Sequence, residues 1–96
     1  MYVRVKNLNG TAKYKPNHNN SWIEGWERVS GRKSFLCSKY GCDSLKNVVG
    51  AHVQRADTND GKWYIVPLCI NCNNKKSTEE FWVPLKNLVP VSEINK

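Results

Sequence analysis

Four cysteines are the residues best equipped for chemistry in this chain. They fall in two close pairs, Cys37-x4-Cys42 and Cys69-x2-Cys72, separated by a long insert. That spacing suits a tetrahedral zinc site: each tight turn supplies two thiolates, and the ion joins two distant segments of chain. A disulfide framework would need an oxidising compartment. The opening residues, Met1 to Lys6, alternate apolar and basic side chains and read as a strand, not as an export signal. The expectation is therefore a cytoplasmic protein with reduced cysteines. Thiolates closed around structural zinc are not free to act as nucleophiles. Neither a Gly-rich phosphate loop nor a Ser-His-Asp order accompanies them.

The two histidines differ in setting. His18 lies in a polar stretch, Asn17-His18-Asn19-Asn20, where solvated surface is the ordinary reading. His52 lies in an apolar stretch. There a histidine is either a hydrogen-bonded structural residue or a general base, because imidazole titrates near neutral pH.

These residues need elements to hold them. Residues 2–6 alternate with period two and predict a strand. Residues 7–20, rich in Asn, Gly, Lys and Pro, predict a loop. Ser21 and Glu24 form a capping box at the start of a short helix. Trp22, Ile23, Trp26 and Val29 make its apolar face, and residues 30–33 end it. Residues 34–36 predict a strand running into Cys37, and Gly41 suits the turn between the first two cysteines. A strand near 48–54, a turn at 57–61 and a return strand at 62–68 form a hairpin. Pro67 puts that return strand at an edge or at its end. Residues 69–76 predict a short helix, and 81–83 and 88–89 predict final strands broken by Pro84 and Pro90. The fold class is thus α+β: a small zinc-stabilised treble clef of knuckle, β-hairpin and short helix. All 96 residues form one domain, with 1–33 as an N-terminal strand and helix extension and 34–92 as the zinc core.

Composition limits the partners. Lys plus Arg is 15 and Asp plus Glu is 8, a net charge of +7. Mean hydropathy is −0.63, and no apolar run approaches the ~18 residues of a membrane span. The positive balance suits nucleic acid, since Lys and Arg neutralise phosphates and release counterions.

The segments Gly50-Ala51-His52-Val53 and Ile65-Val66-Pro67-Leu68-Cys69-Ile70-Asn71-Cys72-Asn73-Asn74-Lys75-Lys76 resemble the HNH (His-Me finger) nucleases with a structural zinc. The resemblance covers residue 37 to about 76 and rests mainly on the cysteine knuckle, the strand histidine and the PLCxxCNxxK segment. It implies His52 as general base, with Asn73 on the helix as ligand or positioner of a catalytic Mg²⁺ or other divalent ion. Tyr64 stands where the family has its middle Asn, and Ala51 where many members carry an Asp or His ligand. Asp57, Asn59, Asp60 or His18 are the available substitutes. The substrate would be DNA, held by Arg55, Lys62, Lys75 and Lys76. The alternative is a non-catalytic zinc-finger module in which Trp63 and Tyr64, with Lys75 and Lys76, bind nucleic acid or a protein partner.

Overall fold

The structure is a computed structural model that describes residues 1–11, 14–42 and 44–96. It is a small α+β fold around an antiparallel sheet of five strands: β1 (Tyr2–Asn7), β2 (Val48–Arg55), β3 (Tyr64–Cys69), β4 (Glu80–Pro84) and β5 (Val89–Pro90). Their order across the sheet is β4-β1-β2-β3-β5. The helices are α1 (Trp22–Ser30), α2 (Ile70–Asn73) and α3 (Val91–Ile94). No helix among the described residues is long and apolar enough to cross a membrane.

Alternation in β1 sorts its side chains. Val3, Val5 and Asn7 are buried, while Tyr2 and Arg4 are exposed. Register then carries this sorting across the sheet, because directly paired residues share a face. Val3 pairs with Val83 and Val5 with Phe81, and Asn7 pairs with Val53. The apolar members of these pairs join Val66 and Leu68 in one core, which also takes in Cys37, Cys69 and Cys72. The knuckle closes this face. Ser38 N–H donates to the Pro67 carbonyl on β3, and Tyr40 N–H donates to the Trp82 carbonyl on β4, each at 2.8 Å. β3 and β4 are not neighbours in the sheet, so one loop bonded to both requires the sheet to curl around this core. Pro67, which has no N–H to give, lies on β3 beyond the short pairing with β5.

The other face carries α1. Ser21 Oγ accepts from the Glu24 N–H at 3.3 Å, as the capping box requires. Trp26 packs with Ile65, Val89 and Ile94 in a second core, and its indole N–H donates to the Asn87 carbonyl at 2.9 Å. The predicted apolar stripe is corrected at one end: Val29 is exposed, and Gly25 beside Trp26 is buried. Gly50 lets α1 come this close, since a Cβ there would lie 2.6 Å from the Ile23 backbone nitrogen.

Two expected elements differ. Residues 34–36 form no strand. Phe35 and Leu36 are exposed and have no ladder partner to reward extension. The helix expected over 69–76 is a single turn, Ile70–Asn73. The chain before residue 34 is also more than a margin, since β1 lies between β2 and β4.

Candidate functional site

The knuckle and the β3–α2 junction bring the four cysteines together. Their sulfurs all lie within 4.8 Å of one another. Cys42 Sγ is 3.8 Å from Cys69 Sγ and 3.7 Å from Cys72 Sγ. A tetrahedral ion with ligand bonds of about 2.3 Å needs sulfur separations of about 3.8 Å. Cys37, Cys69 and Cys72 are buried and Cys42 is partly so. Backbone bonds set the loop: Cys42 N–H donates to the Lys39 carbonyl at 3.0 Å, and Cys37 N–H to the Ser44 carbonyl at 2.9 Å. Gly41, with φ +84°, takes the left-handed turn that a side chain would strain. The donor set is therefore that of a closed metal site.

Crowding fixes the protonation chemistry of this cage. Burial pushes the Cys37 and Cys72 thiols upward. Burial also acts on Cys69, but the Cys72 backbone N–H and the three neighbouring thiols stabilise its thiolate and bring it down to about 7. A metal ion entering this cage must displace protons from the remaining thiols.

α2 links the cage to a second site. Cys72 turns into the cage, while Asn73 lines a cleft of about 310 Å³ with His52, Asn9, Thr11, Asn74 and Trp22. Asn7 pins this short helix. Its Nδ2 approaches the carbonyls of Cys72 at 2.9 Å, Asn73 at 3.3 Å and Lys75 at 3.1 Å. Asn9 Nδ2 donates to the same Lys75 carbonyl at 3.2 Å. Sequence reasoning placed Asn7 and Asn9 in a loop and missed this role. The apolar alternation of β1, continued one step to Asn7, is the signal that marks an inward asparagine there.

His52 is 6% exposed. Its ring meets Trp22 edge-to-face at 4.7 Å and Trp63 at 5.8 Å. Its Nε2 is fully enclosed and has no hydrogen-bond partner among the described residues. Burial lowers its pKa below the ordinary 6.5, so the imidazole is neutral at pH 7.

The structure brings His52, Asn73 and Ala51 to one cleft and leaves the other expected residues elsewhere. Ala51 is 1% exposed and packs into the inward core, while it also borders the cleft. Tyr64 pairs with Val53, one step from the Ile65–His52 pair, and so occupies the inward face as well. Its hydroxyl donates to Asp60 Oδ2 at 2.7 Å. Asp57 is held by Arg55 through two 3.0 Å bonds, and Asp60 also accepts from the Lys62 N–H. Lys75 faces Glu79 at 3.6 Å, while Lys62, Lys76, His18 and Asn59 are exposed. No carboxylate and no second histidine lines the cleft among the described residues.

Searches against protein-family models, curated proteins and solved structures find no match to this chain.

Proposed function

We propose that this protein is a zinc-stapled treble-clef module, laid out like an HNH domain, that binds nucleic acid without cutting it. One observation carries the reading: His52 and Asn73 share a cleft beside the four-cysteine cage, and no carboxylate lines it among the described residues. The chain order of knuckle, hairpin and short helix supports the treble clef. Sulfur separations of 3.7 and 3.8 Å support zinc as the ion.

The cleft lacks what phosphodiester hydrolysis asks of it. A hard divalent ion takes several oxygen ligands, carboxylates among them. Here the cleft offers asparagine amides and one threonine hydroxyl. The hairpin carboxylates Asp57 and Asp60 are engaged with Arg55, Lys62 and Tyr64. Ala51 also lines the cleft, but its methyl offers no donor to an ion. The net charge of +7 remains and favours a phosphate-bearing partner.

The test is fluorescence anisotropy of labelled single-stranded and duplex DNA with the zinc-loaded protein. Affinity is expected to fall steeply between about 50 and 200 mM salt, as counterion release requires. Absence of binding by folded, zinc-containing protein at the low-salt end would overturn the reading.

A further inference from the structure

A second surface adjoins the cage on its knuckle side, away from the cleft, and was not singled out by the sequence. Three aromatic rings there face solvent: Tyr2 is 49% exposed, Tyr40 64% and Trp82 48%. They line a shallow notch of about 240 Å³. Two further depressions adjoin it at Tyr2. One, of about 470 Å³, runs along the knuckle past Lys39. The other, of about 550 Å³, runs past Leu85 and Lys86. All three share Tyr2, and we treat them as one track along this face.

The rings are fixed before any partner arrives. Tyr40 belongs to the knuckle, and its N–H is bonded to the Trp82 carbonyl at 2.8 Å. Tyr2 meets Tyr40 edge-to-face at 5.3 Å. Arg4 stands directly across the ladder from Trp82, with its guanidinium carbon 5.9 Å from the ring. Such preorganisation reduces the ordering cost of binding.

Charge selects the occupant. Lys39 and Lys86 line the flanking depressions, and no carboxylate lines any of the three among the described residues. Glu80, on the same strand as Trp82, is paired to Arg4 at 3.0 Å. A second copy of this chain would bring +7 against +7. A strand of nucleic acid brings phosphates to the lysines and planar bases to the rings, and stacking on aromatic side chains is tolerant of sequence. A duplex keeps its bases stacked inside and cannot offer them to the notch.

We infer that single-stranded nucleic acid runs along this track, with an unstacked base in the Tyr2–Tyr40–Trp82 notch and its phosphates at Lys39 and Lys86. This inference rests on the proposed nucleic-acid binding and adds the site and the strandedness. It also gives the cage a task, since the knuckle that carries Tyr40 is closed by Cys37 and Cys42.

The experiment titrates the zinc-loaded full chain into a labelled oligothymidylate of about ten nucleotides and into a duplex of equal length. Trp82→Ala, Tyr40→Ala and Trp82→Phe are compared, with far-UV circular dichroism and zinc content measured on each. The expected result is preference for the single strand. Loss of about tenfold or more in affinity is expected for each alanine variant, with most of it recovered in Trp82→Phe. Unchanged single-strand affinity in both folded alanine variants would overturn the assignment of this surface, while nucleic-acid binding itself would stand. Duplex binding equal to or tighter than single-strand binding would overturn the strandedness. No binding to either probe would remove the broader reading and this one with it. Self-association that disappears in Trp82→Ala, without nucleic-acid binding, would reassign the face to protein contact. Should an alanine variant lose its zinc or fold, Lys39→Gln and Lys86→Gln together supply the same test, with a shallower salt dependence as the expected result.

Discussion

The cysteine cage and the histidine cleft share α2 yet are built on opposite terms. In the cage, four soft donors converge to within 4.8 Å and the knuckle backbone is bonded around them. In the cleft, amides and a hydroxyl line open space, and the one titratable side chain has an enclosed nitrogen without a partner. On the proposed reading, the metal held by the cage contributes its binding energy to folding. The cleft uses its polar groups to hold backbone, with Asn9 donating to Lys75 and Thr11 to Leu8. The difference teaches that an active-site layout and an active site are separate things: the helix that delivers Cys72 to the cage also delivers Asn73 to the cleft, whether or not catalysis follows.

Removing the cage should have the largest effect. A Cys37→Ser, Cys69→Ser double variant, or chelation of the wild type, should abolish cooperative folding, since a structural zinc contributes on the order of 10 kcal/mol or more at neutral pH. Circular dichroism with metal analysis checks this. Retained fold and full metal content would break the comparison at its first term.

Asn7→Ala should come next. It strips the donors from the carbonyls of Cys72, Asn73 and Lys75 at the joint between the two sites. Unsatisfied buried groups cost about 1–3 kcal/mol each, and water can reach some of these carbonyls, so a total loss of about 2–3 kcal/mol is expected. Denaturant unfolding measures the loss. Competition with a chromophoric chelator should show weaker zinc retention as well.

Gly50→Ala probes the roof of the cleft. The new Cβ would lie 2.6 Å from the Ile23 backbone nitrogen, so α1 must lift from β2. Overpacking of this kind costs about 1–3 kcal/mol, read as a shift in the unfolding midpoint. Increased solvent exposure of Trp22 fluorescence should accompany it, with zinc content unchanged.

The smallest effect belongs to His52. The folded state holds it neutral because burial lowers its pKa, whereas the unfolded chain takes up a proton near the ordinary 6.5. The unfolded state thus binds more protons in this window, and stability falls as pH drops below 6.5 toward the lowered folded value. His52→Phe should flatten that part of the slope. It should leave stability near neutral pH within about 1 kcal/mol, since a ring whose buried Nε2 lacks a partner among the described residues is replaced by an apolar one. Unfolding midpoints at about pH 7 and about pH 5.5 for both proteins give the comparison, with the cage contributing alike to each.

The parts legible in the sequence were those set by local spacing. The two cysteine pairs, the Ser21 capping box and the hairpin around residues 57–61 all depend on neighbours a few residues away. What depends on distant partners was not legible. β1 sits mid-sheet because Val5 pairs with both Phe81 and Arg55, which no local pattern announces. Residues 34–36 carry strand-like side chains but find no ladder. Tyr64 shows how fine the margin is, because a single register step separates the face of His52 from the opposite one. Asn7 reaches carbonyls from the far side of the chain, so only the folded structure reveals what it holds.

Strand scission tests the central claim most directly. Zinc-loaded protein is incubated with supercoiled plasmid and with single-stranded DNA, with Mg²⁺, Mn²⁺ or Ni²⁺ added, beside His52→Ala. The account predicts bound but intact DNA under every ion, the same for both proteins. Cleavage that requires the added ion and disappears in His52→Ala would contradict it, and would make the His52–Asn73 cleft an active site.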